Sequence, residues 1–158
     1  MARELLTSWN EYRSAIDRLL AMVKREIRIY DQNIIELGLD SPPRLEHLKR
    51  LLQANLPETF RAALRDCEPL KRDCPRLMRL LADYAHGMTV QQTPEHLAHL
   101  RDAMVLIDGR HGLIRFDRDQ PRSKLLIGET DELQPYLRRF EDIWAEGGTP
   151  LSITTLGL

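Results

Sequence analysis

The stretch His99-Leu-Arg-Asp-Ala-Met-Val-Leu-Ile-Asp-Gly-Arg-His-Gly-Leu-Ile-Arg-Phe116 decides the fold. Residues 103–107 within it are all apolar, as expected of a central strand covered on both faces of a sheet. Asp108-Gly109 is a strong hairpin signal, because glycine adopts positive φ angles without strain. The stretch therefore predicts a buried strand, a tight turn and a returning strand over residues 103–116.

The composition is that of an ordinary folded protein. The chain has 158 residues, of which 42% are hydrophobic and 30% charged, so we expect one domain with a single core over residues 1–158. Its 23 Lys and Arg against 24 Asp and Glu give a formal net charge of -1, which predicts no whole-chain attraction to nucleic acid or to anionic membranes. No secretory signal or membrane-spanning stretch is recognised, and Cys67 and Cys74 are expected to be reduced thiols in the cytoplasm.

Hydrophobic spacing predicts strands that alternate with helices. Ser8 and Glu11 match a capping box at the start of the first helix. Residues 60–66 fit a helix or a strand, and a strand is preferred because clear helices flank them. The predicted strands are 4–6, 26–30, 60–66, 88–92, the two arms of the hairpin 103–116, 124–127 and 151–156. The predicted helices begin at Ser8, Ser41-Pro42, Arg76 and Thr130.

This order predicts an α/β fold with a mixed β-sheet covered by helices on both faces. Thr130 is expected to cap the last helix. Pro135 is expected to lie in the first turn of that helix or to delay its start. The buried stripe of the helix is predicted to be Leu133, Leu137, Phe140 and Trp144.

Three stretches resemble one half of the phospholipase D superfamily. The first is the opening helix leading into Arg25-Glu-Ile-Arg-Ile-Tyr30. The second is Ala103-Met-Val-Leu-Ile-Asp-Gly109, which resembles the strand and turn that close the family's His-x-Lys-x-x-x-x-Asp motif. The third is Leu137-Arg-Arg-Phe-Glu-Asp-Ile-Trp144, which is similar to the family's last helix. The resemblance covers most of the chain, implies a phospholipase D-like fold, and extends to small bacterial proteins of unknown function that resemble degenerate members.

The resemblance also implies a chemistry that this chain lacks the residues to perform. In the family a motif histidine attacks phosphorus, a histidine from a second copy protonates the leaving group, and lysines stabilise the phosphoryl oxygens. With the motif aspartate on Asp108, the histidine position falls on Arg101 and the lysine position on Ala103. Arginine is no nucleophile and alanine supplies no charge, so a member without phosphodiesterase activity is predicted.

Two further comparisons with the family's motifs point the same way. A register that begins at His99 puts Leu106 where the motif needs its aspartate. The segment Phe116-Asp-Arg-Asp119 does not match the family's Gly-Ser-x-Asn segment. Only one copy of the motif fits in this chain, so an active site would require a dimer.

The candidate site consists of His99, Arg101, Asp108 and His111. We interpret it as the degenerate motif, and a retained anion site is predicted around Arg101 and Asp108. For the histidines themselves, including His96, ordinary surface positions are favoured over a phosphate or metal site, since their spacing matches no metal-ligand pattern.

Two other groups of residues allow a functional and a structural interpretation. Cys67 and Cys74 suit a thiol switch or a zinc pair, but small buried residues beside a loop are favoured. A basic strip in and before the third helix suits a phosphate backbone, but a solvated helix face is favoured. The strip consists of Lys71, Arg72, Arg76 and Arg79.

We therefore expect a non-catalytic binding or regulatory module, with no cofactor and no metal. Its partner is expected to be a protein or a phosphate-containing ligand, not nucleic acid and not a membrane. One alternative is a divergent dimeric phosphodiesterase or nuclease with His99 as its nucleophile. A second alternative is a structural protein-interaction domain, in which exposed apolar side chains are buried in a homodimer.

Overall fold

A computed structural model describes residues 1–151 of the chain. Within them, one mixed sheet is built from eight strands in the order β1-β7-β6-β5-β2-β3-β4-β8. Strands β2, β3 and β4 are parallel to one another, and the other neighbours are antiparallel. The strands are β1 Ala2–Leu6, β2 Ile27–Asp31, β3 Phe60–Leu64, β4 Met88–Gln92, β5 Ala103–Ile107, β6 His111–Arg115, β7 Ser123–Ile127 and β8 Thr149–Pro150.

Helices cover both faces of this sheet, as the sequence predicts. The helices are α1 Trp9–Met22, α2 Pro42–Leu52, α3 Glu68–Asp73, α4 Pro75–Asp83 and α5 Thr130–Ala145. Helices α1, α2 and α4 share one core with Val105 and Ile107 of β5. Helix α5 packs on the other face against Met104 and Leu106. Alternate residues of β5 thus enter two separate cores, which explains why the whole strand is apolar.

A buried arginine helps attach α5 to the sheet. Arg61 of β3 donates a hydrogen bond to Glu141 of α5 at 2.7 Å. Its guanidinium carbon lies 5.2 Å from the ring centre of Phe140 and 5.4 Å from that of Trp144. The buried guanidinium charge is therefore compensated by one carboxylate and by the faces of two aromatic rings.

Several local predictions are confirmed. The Glu11 backbone N–H donates to Ser8 Oγ at 3.1 Å at the start of α1. Residues 60–64 form a strand that is buried throughout. In the hairpin, Asp108 and Gly109 have φ angles of 56° and 66°, and the Arg110 N–H donates to the Ile107 carbonyl at 3.0 Å. Two positive φ angles are what the tight I′ hairpin turn requires.

Other local predictions are wrong. Thr130 is the first residue of α5 and does not cap it, since the capping position is Glu129. Pro135 lies inside the helix, beyond its first turn, where packing of α5 on the sheet outweighs the lost hydrogen bond. Helix α3 was not predicted, because its six residues show no helical apolar stripe. Of the strand predicted at 151–156, residues 152–156 lie outside the described residues.

None of the helices in residues 1–151 is long and apolar enough to span a membrane.

Candidate functional site

Strand β5, which carries the motif-like residues, lies at the centre of the sheet between β6 and β2. Because β5 is antiparallel to β2, its first residue lies near the carboxyl ends of the parallel strands. In a sheet of this kind ligands bind at such an edge, where the strand order reverses. The residues at this end of the sheet are therefore the first candidates for a ligand site.

Asp108, at the far end of β5, is an anchor for the backbone. Its carboxylate accepts hydrogen bonds from the backbone N–H groups of Lys24, Arg25 and Glu26, at 3.0, 2.8 and 3.1 Å. These residues connect α1 to β2, so one side chain holds the helix, the strand and the hairpin turn together. The motif-like aspartate is thus explained by architecture.

His111 lies at the same end of the sheet, in β6. Its Nδ1 accepts a hydrogen bond from the backbone N–H of Gly128 at 2.8 Å, which places the proton of the neutral ring on Nε2. Burial and the nearby Arg110 cation lower the pKa of His111. The ring is therefore a neutral structural group at neutral pH.

Arg101 and His99 lie at the opposite end, before β5. Arg101 forms an exposed ion pair with Asp117 at 2.9 Å and another with Asp119 at 2.6 Å. Hydrogen bonds to the Asp117 and Asp119 carboxylates raise the pKa of its guanidinium. His99 is exposed, and its Nδ1 lies 3.1 Å from the carbonyl of His96.

The four candidate residues therefore do not share one pocket. Arg101 lies two residues before β5 and Asp108 directly after it, so the length of a five-residue strand, roughly 17 Å, separates them. Anion binding by Arg101 alone stays a prediction. The carboxylates of Asp117 and Asp119 already pair with its guanidinium and would repel an anion. Within residues 1–151, no group of three or more His, Cys, Asp and Glu side chains is placed to hold a metal ion.

A buried ion pair, which sequence reasoning missed, lies beside Ala103, the residue at the motif's lysine position. Ala103 is fully buried, and its β6 neighbour across the strand is Arg115. On the other side, Tyr30 pairs with Met104, so Asp31 lies next to Ala103. Arg115 Nη2 donates to Asp31 Oδ1 at 3.0 Å, and their side chains are 1% and 2% exposed. The bond thus bridges two strands across the small side chain of Ala103.

Two aromatic rings of α1 enclose the Arg115 guanidinium. Its central carbon lies 5.5 Å from the ring centre of Trp9 and 5.0 Å from that of Tyr12. Burial raises the pKa of the Tyr12 hydroxyl, an effect that the charge of Arg115 opposes. The cation is held by one carboxylate and two π faces in a space without water access.

Several hydrogen-bonding groups of this cluster have no partner among the described residues. Asp31 Oδ2, Arg115 Nε and Nη1, and the Tyr12 hydroxyl are buried without a hydrogen-bond partner in residues 1–151. Burial raises the pKa of the Asp31 carboxyl above its ordinary value of 3.8, although the charge of Arg115 opposes the shift. A signal for the cluster exists in the sequence, because Asp31 and Arg115 continue the inward alternation of Ile27, Ile29 and Leu113.

The two cysteines flank α3 and are both buried and free. Burial raises the pKa of the Cys67 thiol to about 11. Seven residues apart across one short helix, their Cα atoms are about 10 Å apart, which is too far for a disulfide. Their geometry agrees with the structural interpretation.

Two bacterial proteins of known structure share this arrangement of strands and helices. Nuc from Salmonella typhimurium, a phospholipase D family member, superposes with a TM-score of 0.63 at 12% identity, over 95% of this chain and 97% of that one. NucT from Helicobacter pylori gives a TM-score of 0.60 at 8% identity, over 94% of this chain and 98% of that one. At these identities the likeness shows the fold alone, which is phospholipase D-like as the sequence predicts.

A third similar structure is that of TrmBL2, an archaeal chromatin protein whose structure shows a novel mode of DNA binding. It superposes with a TM-score of 0.68 at 11% identity over 94% of this chain. This chain spans only about half of that protein, 54% of its length.

No curated protein matches the chain in sequence. The model of a family described as a domain of unknown function, DUF7931, matches residues 8–154. Because this match covers nearly the whole chain, the chain belongs to the DUF7931 family, and its fold is phospholipase D-like.

Proposed function

We propose that this protein is a binding module of phospholipase D-like fold that does not hydrolyse phosphodiesters. The observation that carries the proposal is the Arg115–Asp31 ion pair, which crosses the buried methyl group of Ala103. A motif lysine at this position would need the space that the pair fills, and it would meet a second cation there. The pair thus takes the place of the group that stabilises phosphoryl oxygens in the family.

The surroundings of the motif's histidine position support the same proposal. Arg101 stands at that position and its charge is taken up by Asp117 and Asp119. The loop after β6 also contacts the segment that contains Arg101, because the Arg118 backbone N–H donates to the Arg101 carbonyl at 2.7 Å. An entering phosphate group would meet two carboxylates here, which disfavours its approach.

The competing proposal is a divergent phosphodiesterase or nuclease that works as a dimer with His99 as nucleophile. The exposure of His99 allows such a role, and the similarity in fold to Nuc, a phospholipase D family member, supports it. DNA binding, which is described for the archaeal chromatin protein, is disfavoured for this chain by its net charge of -1.

Hydrolysis of bis(p-nitrophenyl) phosphate by the purified protein separates these proposals. The binding module predicts a rate equal to that of buffer, for the natural chain and for His99→Ala alike. Turnover that His99→Ala abolishes would contradict it. Calorimetric titration with inorganic phosphate, for the natural chain and for Arg101→Ala, tests the retained anion site in the same samples.

A further inference from the structure

Helices α2 and α4 leave an open groove of about 750 Å³ between them. Its apolar part is formed by Leu45 of α2, Leu80 of α4 and Tyr84, which follows α4. Leu80 is nearly buried, whereas Leu45 and Tyr84 are only half-buried at the edge of the core. The groove therefore exposes apolar surface that the fold itself does not cover, in a volume within the range of protein binding sites.

Three cations lie along this groove: Lys49 on α2, and Arg76 and Arg79 on α4. Among residues 1–151, neither Lys49 nor Arg76 has a carboxylate within ion-pair distance. Arg79 lies 3.4 Å from Asp83, but its side chain is 81% exposed, and such a pair adds little stability. Arg76 also donates a long, exposed hydrogen bond of 3.4 Å to the Asp40 carbonyl, so none of the three cations is held by a strong ion pair.

The basic strip predicted from the sequence divides at this place. Lys71 and Arg72 are engaged by Glu68 and Asp73 of their own segment and do not line the groove. Arg76 and Arg79, the second half of the strip, line it together with Lys49. All four side chains of the strip are exposed, as a solvated face requires, and two of them line the groove.

Two carboxylates, those of Glu46 and Asp83, also line the groove. Three cations against two carboxylates leave the groove positive, on a chain whose net charge is -1. A ligand that fits must cover apolar surface and supply negative charge next to it.

We propose that this groove binds an acidic amphipathic segment of a partner protein. Apolar side chains of the segment would pack on Leu45, Leu80 and Tyr84, and its carboxylates would pair with Lys49 and Arg76. An open groove between two helices with an apolar floor is the geometry in which helical peptides are bound. The inference rests on the binding part of the proposed function and is independent of the proposed lack of hydrolysis.

The test is a selection of 12-residue peptides from a phage-displayed random library on the full-length protein. We expect enriched peptides to carry Asp or Glu beside large apolar residues. As fluorescein-labelled synthetic peptides, they should bind the natural chain in an anisotropy titration. The double variant Lys49→Glu with Arg76→Glu should weaken this binding at least tenfold, since both side chains are exposed and their replacement leaves the core intact.

The matched control is Arg110→Glu with Arg122→Glu, which changes the net charge equally on the other half of the sheet. It should retain the affinity of the natural chain, and all three proteins should unfold at the same urea concentration. Failure to enrich acidic peptides, or equal loss of affinity in both double variants, would overturn the proposal. The hydrolysis assay is a separate measurement, so this outcome would leave the lack of catalysis untouched.

Discussion

Replacing Arg115 by methionine tests the buried ion pair most directly. The change keeps much of the side-chain volume between Trp9 and Tyr12 but removes the cation that faces Asp31. The carboxylate would keep the Gln32 backbone N–H, at 2.6 Å, and lose its one ion-pair partner within residues 1–151. Breaking a buried pair in this way costs about 3–5 kcal/mol, which lowers the melting temperature of a chain of this size by roughly 6–20 °C.

The pH dependence of the loss separates a lost charge from lost packing. Because burial raises the pKa of Asp31 above 3.8, the folded state binds its proton more tightly than the unfolded state does. Stability therefore falls as the pH rises through the interval between the two pKa values, and Arg115→Met widens that interval. We expect the deficit of this variant to shrink as the pH falls towards 3.8. The deficit of Asp31→Asn should instead grow as the pH falls, because this variant lacks the carboxyl group whose protonation stabilises the natural folded chain.

Urea unfolding followed by tryptophan fluorescence measures these differences, with unchanged slopes as the sign of an intact unfolding transition. The double variant Asp31→Leu with Arg115→Met should recover most of the stability, because paired apolar groups replace a paired charge. Arg101→Met is the matched control, since it removes an exposed arginine–aspartate pair and should leave the midpoint nearly unchanged. A loss below about 1 kcal/mol for Arg115→Met would refute the reasoning. So would a loss in the double variant equal to the sum of the losses caused by its two single substitutions.

Three further changes have defined outcomes. Asp108→Ala removes the acceptor of three backbone N–H groups, so it should cost about 3 kcal/mol or more in the same unfolding measurement, and a loss within error would contradict the anchoring role. Gly112→Ala places a methyl group 2.6 Å from Leu133 Cδ1, so overpacking should cost about 1–3 kcal/mol, and an unchanged melting temperature would show that α5 yields. Cys67 and Cys74 should react with a thiol reagent far more slowly in the folded protein than in urea, because both are buried, and equal rates would contradict this.

The hairpin was predictable because its signals are local. Five apolar residues followed by Asp108-Gly109 specify a covered strand and a tight turn with little help from the rest of the chain. Residues 60–64 were harder, since their spacing fits two periods, and the flanking helices decided the matter. Helix α3 has no such signal, because its six residues, with Pro69 in the first turn, owe their helical form to tertiary context.

The candidate site was predictable only as a set of residues along one strand. The motif spacing groups Arg101, Ala103 and Asp108, but an extended strand with this spacing places Arg101 and Asp108 at its opposite ends. The partner of Arg115 depends on β5 lying between β6 and β2. That order is a long-range property, and no local pattern in the sequence determines it.

The geometry around Ala103 makes the motif positions interdependent. A lysine there would place its ammonium group between Arg115 and Asp31, where it must either displace the arginine or compete with it for one carboxylate. Restoring the lysine alone therefore brings two cations into a buried space with one anion, which is unfavourable without water. Ala103 and Arg115 therefore depend on each other: the small side chain lets the ion pair cross the strand, and the ion pair leaves no favourable place for a second cation.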